Sequence, residues 1–579
     1  MCGIYASISR VAHHGPSEYL KTLLCRRGPD HAGIVTAKVN LDDGDDTFLS
    51  FYSTVLALRG GHVTPQPLID PSTGSLLCWN GEAWKTGGTI VTGNDGEVIL
   101  RQLATGASKA SRVDSISYTL DVLRNISGPF AFVFFDQTHD LIYFGRDCLG
   151  RRSLLFNITG GDEGALEFSS VSDHAQGAWR EVEADGIYML VCKSPFENLP
   201  LPEEGILEKG FLFQTLRFSW SVGEVGRVGD TSLGLLNRCI PESKSEFSSL
   251  SESAGRLGRQ LLESLKLRVL NIPSPGHEVP PDGVRLAVLF SGGLDCTVIA
   301  RMAHDLLPVG QAIDLLNVAF ENPRVIDAAR KSQQSTGLVR SDTLKQTSLY
   351  ELCPDRITGR NALRELRQTC PERVNVPYVE AGAHKSKVMS LIFPHNTEMD
   401  LSIAYALYFA ARGCGLASTN DIDTAVPYTT QARVLLTGLG ADELFGGYTR
   451  HATAFSRRGF PGLLNELQLD VDRLGKRNLG RDDRVLSNWG REARFPYLDE
   501  SFVKWSLECP IWEKCGFGAE MGTIERPEDE IEPGKKALRL LAWQLGLHSV
   551  AKEKKRAIQF GARTAKMETG KTKGTAIIS

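Results

Sequence analysis

The chain has 579 residues, of which 23% are charged and 42% hydrophobic, and its formal net charge is −4 at pH 7. This balance is typical of a globular protein and excludes the strong basic bias of nucleic-acid-binding proteins. The sequence has no apolar run of about 18 residues that would predict a membrane span. We therefore expect a cytoplasmic protein that binds neither nucleic acid nor membrane, and the length predicts two domains. Composition leaves the oligomeric state open.

The N-terminus, MCGIYASISR, carries the first candidate functional group. Removal of Met1 would give Cys2 a free α-amino group beside its own thiol. These groups titrate near ~8 and ~8.5, so proton transfer between them is inexpensive at neutral pH. An N-terminal amine can activate a nucleophile in this way. Cys2 is thus a candidate nucleophile, and the alternative is a small buried apolar residue, as most free cysteines are.

The pattern of elements changes along the chain. The aromatic-rich run FAFVFFDQTHDLIYF predicts a β-hairpin, and residues 1–222 are predicted to be dominated by strands. A Gly-, Ser- and charge-rich stretch at 223–247 predicts a connecting segment. Residues 248–565 open with a helix-start pattern and then alternate strands with helices, which predicts a parallel sheet of βαβ units. The last residues, 566–579, are predicted to form a mobile tail.

Two glycine-rich loops in the second half carry acidic residues. In LAVLFSGGLDCTVIARM, Gly292 and Gly293 allow the backbone to approach an anion at a helix N-terminus. Asp295 would repel a bare phosphate, so it fits a ligand of phosphate-bound Mg²⁺. The loop in ARVLLTGLGADELFGGYTRH brings Asp442 and Glu443 to the same predicted sheet edge. The alternative interpretation of the first loop is an ordinary tight turn.

Across nearly the whole chain these motifs resemble those of glutamine-dependent asparagine synthetases, and most closely the asparagine synthetase domain-containing proteins. The motifs that carry the resemblance are MCGI, RRGPD, PQPL, NGE, TGNDGEVI, GRDCLGRRSLLF and SGGLD. The resemblance implies that residues 1–222 form a class II glutamine amidotransferase domain with the N-terminal-nucleophile hydrolase sandwich (αββα). It implies that residues 248–565 form a parallel-sheet α/β ATP-pyrophosphatase domain.

The resemblance also implies roles for residues of the first domain. Cys2 would attack the side-chain amide of glutamine, and Asn80 with the Gly81 N–H would form the oxyanion hole. Arg59 would hold the glutamine carboxylate and Asp95 its ammonium group, and Glu82 would belong to the same substrate-binding set.

In the second domain the implied ligands are ATP, Mg²⁺ and aspartate. Asp295 and Asp442 would bind Mg²⁺, and Asp483 would lie near the amino-acid substrate. Lys555 would contact pyrophosphate, although Arg556 is an alternative because the spacing differs from that of the bacterial enzymes. The remaining nucleotide contacts would come from Leu289, Ser291, Gly292, Gly293, Val318, Thr437 and Gly438.

One position departs from the family pattern. Leu439 stands where asparagine synthetases carry a glutamate proposed to accept a proton from ammonia, and loss of a general base typically costs ~10²–10⁴ in rate. Glu443, Glu492 and His451 are the candidate replacements. Three functions therefore remain open: asparagine synthesis through β-aspartyl-AMP, an amide ligase for a different carboxylate, or a non-catalytic protein that binds glutamine or ATP as a signal.

Overall fold

The computed structural model describes most of the chain in several segments. These are residues 1–40, 46–159, 164–173, 179–192, 206–208, 213–221, 233–243, 246–247, 250–270, 272–273, 283–320, 349–370, 374–380, 384–418, 426–476, 478–519, 530–565, 575 and 577. About half of the predicted connecting segment and nearly all of the predicted tail lie outside them. None of the described helices is long and apolar enough to cross a membrane.

The chain divides into two compact units. The first comprises Met1–Gly234, Ile272–Glu278 and Asp472–Arg491. The second comprises Leu235–Asn271, Val279–Val471 and Glu492–Ser579. Residues 472–491, which the sequence placed with the second domain, thus belong to the first unit.

The first unit is built mainly from antiparallel strands. They are β1 (Gly3–Ser9), β2 (His31–Val39), β3 (Thr47–Val55), β4 (Leu68–Ile69), β5 (Leu76–Gly81), β6 (Lys85–Thr86), β7 (Thr89–Ile90), β8 (Ile126–Ser127), β9 (Phe130–Asp136), β10 (Leu141–Arg146), β11 (Leu155–Thr159), β12 (Ala165–Ser169), β13 (Arg180–Glu181), β14 (Ile187–Val191), β15 (Ile206–Glu208) and β16 (Thr215–Phe218). One sheet has the order β13-β11-β12-β1-β3-β2, a second has β15-β16-β14-β10-β9-β5-β4, and a small third has β7-β6-β8. The predicted hairpin is confirmed, because β9 and β10 pair antiparallel.

The two large sheets pack face to face. Alternate residues of a strand point to opposite faces, and residues from both sheets, including Phe51 of β3 and Phe135 of β9, join one buried core. The outer face of the second sheet packs on the helices Asp95–Ala107 and Arg112–Arg124. Helix Glu18–Arg27 contacts β1 and β3 of the first sheet. The resulting order is helix, sheet, sheet, helix.

The second unit contains one large sheet. Its strands are β17 (Leu286–Leu289), β18 (Ile313–Ala319), β19 (Val374–Glu380), β20 (Cys414–Ser418), β21 (Val426–Thr429), β22 (Val434–Leu436) and β23 (Glu492–Arg494), in the order β21-β20-β19-β18-β17-β22-β23. The five neighbouring strands β19, β18, β17, β22 and β23 are parallel to one another. The prediction of a parallel sheet needs correction at one edge, where β20 and β21 add an antiparallel hairpin. Mixed sheets of this kind commonly carry their antiparallel strands at an edge.

Helices surround this sheet. In the second unit they are Leu250–Val269, Leu294–Leu306, Pro354–Thr369, Lys385–Ile392, Glu398–Arg412, Ala441–Phe445, Thr449–Val471, Glu500–Glu508, Lys536–Gln544, His548–Lys552 and Ile558–Gly561, with 3₁₀ turns at Leu349–Leu352, Pro496–Leu498 and Ile511–Glu513. The Thr449–Val471 segment is broken at Gly459, whose φ is +60°. The first unit also contains the 3₁₀ turn Leu474–Lys476 and the helix Leu479–Ser487.

The contact between the two large sheets of the first unit generates a stability prediction. Phe51 is fully buried and its ring stacks on that of Phe135 with 6.2 Å between centroids. We expect Phe51→Ala to lower the free energy of unfolding of this unit by about 3–5 kcal/mol, because it leaves a cavity in the core. Hydrogen exchange of peptides from both sheets in increasing urea would measure this. Ile34→Ala, at a 58% exposed position on β2, should change it by less than about 0.5 kcal/mol.

Candidate functional site

The candidate nucleophile is buried in the first unit. Cys2 directly precedes β1, is 8% exposed and packs against Val55. The Nε2 amide of Gln66 donates to its Sγ at 3.7 Å, and Nε of Arg27 donates to its carbonyl oxygen at 3.3 Å. Met1 precedes it and is also buried. The α-amino group of Cys2 therefore exists only once Met1 is removed.

Gln66 links the nucleophile to strand β5. Its Oε1 accepts the backbone N–H of Trp79 at 2.9 Å, which orients the opposite end of the amide towards Cys2. Asn80, the next residue of β5, is fully buried, and neither its Nδ2 nor its Oδ1 has a hydrogen-bond partner among the described residues. Buried amides are normally hydrogen-bonded. The side chain of Asn80 is thus available to a polar atom of a ligand.

Further predicted residues cluster around the end of β5. Asp95 is buried, and its Oδ2 accepts from Trp79 Nε1 at 3.0 Å and from the Ala83 backbone at 2.8 Å. Burial raises the pKa of Asp95, while the charge of Arg59 and these two hydrogen bonds act in the opposite direction. The guanidinium group of Arg59 lies 3.7 Å from Oε2 of Glu82. Charges suited to both ends of an amino acid therefore lie near Asn80.

Glycine is required at the end of β5. A Cβ added to Gly81 would lie 2.6 Å from the Cβ of Phe130, which faces it on β9. All six predicted residues of the first domain (Cys2, Arg59, Asn80, Gly81, Glu82 and Asp95) belong to the first unit. Gln66 was not predicted as a site residue, although it lies within the PQPL motif that carried the resemblance.

The second unit contains a cavity that is open to solvent. Its lining comes from β18, from the loops that follow β17 and β22, and from C-terminal residues. The predicted residues in the lining are Leu289, Ser291, Gly293, Asp295, Val318, Thr437, Gly438, Asp442 and Lys555. Gly292 belongs to the loop after β17 but does not line the cavity. Arg556, the alternative to Lys555, lines it as well.

Two glycines allow the cavity loops to approach their neighbours. Gly292 has φ +79°, and a Cβ there would lie 2.4 Å from the backbone nitrogen of Gly359. A Cβ at Gly438 would lie 2.8 Å from the Cβ of Asp295. The loop after β22 therefore approaches the loop after β17 closely only because residue 438 lacks a side chain.

A buried lysine joins the two acidic loops. The Nζ of Lys535 lies 2.8 and 2.9 Å from the carboxylate oxygens of Asp295 and 2.9 Å from Oδ1 of Asp442. Lys555 pairs with the other oxygen of Asp442. Burial alone would raise the pKa of Asp442, but the two lysines hold it well below its usual range. No sequence motif indicated Lys535, which is recognised only from this contact.

The expected Mg²⁺ ligands can be tested against this geometry. The described residues contain no group of three or more His, Cys, Asp or Glu side chains that could hold a metal ion. Mg²⁺ in proteins is usually bound by one or two carboxylates together with water and substrate phosphates. Asp295 and Asp442 fit that smaller role, since both line the cavity. They would hold the ion only together with the phosphates of a nucleotide.

One candidate for the missing proton acceptor lines the cavity beside Leu439. Glu443 accepts a hydrogen bond from the hydroxyl of Tyr448, and both residues are in the lining. Burial raises the pKa of Glu443, and the neighbouring charge of Asp442 raises it further. A carboxylate with a raised pKa is a better match to base catalysis near neutral pH.

The other two candidates are engaged elsewhere in the second unit. Glu492 accepts from Nε of Arg494 at 2.7 Å, and Nε2 of His451 lies 2.9 Å from Oδ2 of Asp470. Both Glu492 and His451 are buried, and neither is among the residues that line the cavity. Glu443 is therefore the candidate that the geometry favours.

The cavity contains an acidic residue that sequence motifs did not indicate. Asp355 lies near the start of helix Pro354–Thr369 and lines the cavity. Burial raises the pKa of Asp355 to about 7, against the opposing charges of Arg556 and Lys555. Its ionisation near neutral pH would change the charge of the cavity.

Asp483 has different surroundings from those expected. It lies in the first unit, on helix Leu479–Ser487, and is not among the cavity-lining residues. Its carboxylate is fully buried, 2.8 Å from Nη2 of Arg27 and 3.1 Å from the backbone nitrogen of Ser153. Asp483 therefore takes part in a buried ion pair with Arg27.

Comparison with known proteins gives consistent matches. The asparagine synthase family matches residues 426–465 and 461–572. Asparagine synthetase domain-containing protein 1 from Bos taurus is 31% identical over 663 residues, covering 99% of this chain and 97% of that protein. The human protein of the same name is 31% identical over 98% of this chain and 96% of its own length.

A shorter match extends to an archaeal protein. A putative glutamine-hydrolysing asparagine synthetase from Methanocaldococcus jannaschii is 37% identical over 156 residues, which is 23% of this chain and 28% of that one. The mammalian similarities, in contrast, run from end to end at more than 30% identity. The chain therefore belongs to the family of asparagine synthetase domain-containing proteins.

Proposed function

We propose that this protein is a glutamine-dependent ligase that makes asparagine from aspartate and ATP. The observation that carries the proposal is the amide of Gln66, which connects Sγ of Cys2 to β5 beside the unpaired side chain of Asn80. The Gln66 side chain thus contacts the nucleophile at one end and, at the other, the backbone of Trp79, which directly precedes the oxyanion donor Asn80. The helix, sheet, sheet, helix layering of the first unit supports an N-terminal-nucleophile hydrolase domain.

The first reaction is glutamine hydrolysis. After removal of Met1, the α-amino group of Cys2 takes the thiol proton and Sγ attacks the side-chain amide carbon of glutamine. Asn80 Nδ2 and the Gly81 N–H stabilise the oxyanion, and each such donor is typically worth about 3 kcal/mol. The α-ammonium group returns this proton to the amide nitrogen, the C–N bond breaks and ammonia leaves. Water then hydrolyses the thioester to glutamate and free Cys2. Arg59 and Asp95 hold the carboxylate and ammonium groups of the substrate.

The second reaction forms the amide. An oxygen of the aspartate β-carboxylate attacks the α-phosphorus of ATP, which breaks the bond to pyrophosphate and gives β-aspartyl-AMP. Ammonia then attacks the acyl carbon and AMP leaves, giving asparagine. Lys555 is suited to the pyrophosphate because its ammonium group is in the cavity lining beside Asp442. Mg²⁺, when bound through Asp295 and Asp442, would neutralise phosphate charge.

The amide-forming step needs a proton acceptor, because attacking ammonia becomes a cation. Leu439 cannot fill this role. Of the two carboxylates that follow it closely in sequence and line the cavity, Asp442 is paired with Lys535 and Lys555, which leaves Glu443. The hydrogen bond from Tyr448 fixes the orientation of this carboxylate. We assign proton acceptance to Glu443.

A second candidate function is favoured by the apolar part of the cavity. Leu439 shares the lining with Ala406, Leu407 and Ala410 from helix Glu398–Arg412. A wall of this kind provides no hydrogen-bonding group for the charged end of aspartate. It would suit an amide ligase whose acceptor carboxylate is attached to an apolar group, and product analysis distinguishes the two candidates.

The assignment of Cys2 predicts the behaviour of Cys2→Ala. With glutamine as nitrogen donor, we expect asparagine formation to be abolished, because the nucleophile that releases ammonia is gone. With ammonium salt as donor, formation of asparagine, AMP and pyrophosphate should remain at the wild-type rate. Amino-acid analysis and ³¹P NMR measure these products, and mass spectrometry of the N-terminal peptide verifies that Met1 has been removed from the wild type.

Two results would contradict the proposal in different ways. Glutamate release without asparagine, with AMP formed when another carboxylate replaces aspartate, would favour the second candidate function. No glutamate release by wild type lacking Met1 would overturn the glutaminase assignment.

The role of Glu443 predicts a separation of the two half-steps of synthesis. We expect Glu443→Gln to slow asparagine formation from ammonium by about 10²-fold, as loss of a general base does. Aspartate-dependent exchange of labelled pyrophosphate into ATP should persist, because adenylate formation precedes the proton transfer. Glu492→Gln, which changes a buried glutamate outside the cavity lining, is the matched control and should leave the ratio of the two rates unchanged.

The titration of Asp355 predicts that nucleotide binding depends on pH. Since the pKa of Asp355 is about 7, its carboxylate is largely neutral at pH 6 and charged at pH 8. The added negative charge should weaken ATP binding roughly fivefold over this range, as expected for charges within one cavity. Asp355→Asn should remove this part of the pH dependence. Calorimetric titration of both proteins with ATP at each pH measures it, and parallel curves for the two proteins would contradict the prediction.

A further inference from the structure

A buried ionic network of the first unit contacts the backbone of Cys2. Arg27 and Asp483 are 1% and 0% exposed, and their side chains form an ion pair at 2.8 Å. Nη1 of Arg27 donates to Oγ of Ser487, one helical turn from Asp483, at 2.5 Å. The third nitrogen of the guanidinium group, Nε, donates to the carbonyl oxygen of Cys2.

Each of these groups is held on more than one side. The Asp483 carboxylate also accepts the backbone N–H of Ser153 and lies 3.8 Å from Nη1 of Arg152. The hydroxyl of Ser487 in turn donates to the Asp483 backbone oxygen at 2.6 Å. Arg27 therefore has a single available orientation. That orientation places its Nε at the backbone of Cys2.

The chain position of this helix is unexpected. Residues 479–487 fall within the part of the chain that matches the asparagine synthase family, yet they pack in the first unit, where Cys2 lies. A buried ion pair contributes little net stability compared with apolar packing, because desolvation offsets the attraction. Its advantage lies in fixing the positions of the paired side chains. Here one of them, Arg27, contacts the backbone of Cys2.

We propose that Asp483 is a positioning residue for Cys2, acting through Arg27, rather than a ligand of the amino-acid substrate. Ser487 supports the same guanidinium group from the same helix. The consequence for glutamine hydrolysis rests on the function proposed above. The consequence for the order of the Cys2 backbone does not, because it follows from the contacts alone.

The test uses the full-length protein and three variants. Asp483→Asn removes the charge that orients Arg27, and Ser487→Ala removes one acceptor of the guanidinium group without leaving a buried charge unpaired. Asp482→Asn is the matched control, because Asp482 is equally buried on the same helix and its carboxylate pairs with Arg481. Each protein is treated with iodoacetamide, and labelling is followed by mass spectrometry on the tryptic peptide that starts at Cys2.

Loosening of the N-terminus should expose Cys2 and raise its rate of labelling. We expect an increase of at least about threefold in Asp483→Asn and a smaller one in Ser487→Ala, as for local opening of a structured segment. Cys78, fully buried on β5, is the internal reference. A merely destabilised unit would label both cysteines faster, whereas loss of positioning raises labelling of Cys2 alone.

Glutamine kinetics provide the second measurement. Misplacement of a nucleophile by about 1 Å can cost about 10²-fold in rate, so kcat for glutamine hydrolysis in Asp483→Asn should fall by that order. KM should change little, because Arg59 and Asp95 hold the substrate. Asp483→Glu should restore part of kcat, since it returns the charge.

The outcomes separate the two proposals. Unchanged labelling of Cys2 in both Asp483→Asn and Ser487→Ala, equal acceleration at Cys78, or an equal effect in Asp482→Asn would each overturn the positioning role. A wild-type protein that hydrolyses no glutamine would overturn the proposed function, and the labelling rates would still decide the role of Asp483.

Discussion

The cavity of the second unit depends on one buried ammonium group. Asp295 and Asp442 lie in the first turns of helices that follow different strands. Two carboxylates placed close together repel each other and lose hydration. Lys535 lies within 2.9 Å of both and compensates this cost. Its own pKa would be lowered by burial, but the two carboxylates raise it above the usual range, so the lysine keeps its charge. Gly438 then permits the close approach to Asp295 that this contact requires.

The first unit arranges its polar groups differently. Around Cys2 the supporting side chains of Gln66 and Arg27 are each hydrogen-bonded at two ends. The side chain of Asn80, in contrast, has no partner among the described residues although it is buried. Leaving a buried amide unpaired costs about 1–3 kcal/mol. The supporting side chains have hydrogen-bond partners, whereas the Asn80 amide has none. Such a site is organised for a ligand rather than for stability.

Structural features that depend only on short stretches of chain could be predicted from local signals in the sequence. The β9–β10 hairpin, the strand, turn and helix around Asp295, and the strand-rich character of the first half follow from hydrophobic pattern and glycine placement. Contacts between distant residues could not be predicted in this way. Lys535 meets Asp295 across 240 positions and Arg27 meets Asp483 across 456, and neither lysine nor arginine has a local pattern that marks its partner. The β20–β21 edge was missed because alternation of strands and helices does not reveal strand direction at an edge.

The charge of the cavity bears on the replacement of the family glutamate by Leu439. The acidic lining residues are Asp295, Asp355, Asp442, Glu443 and Glu553, and the basic ones are Lys535, Arg539, Lys554, Lys555 and Arg556. Burial raises the pKa of Asp355 to about 7, so this carboxyl group carries only part of its charge near neutral pH and the negative charge of the lining is reduced. The resulting positive surplus suits a polyanion such as a triphosphate. A glutamate at position 439 would reduce it, whereas Glu443, with its raised pKa, offers a proton acceptor without adding a further acidic group.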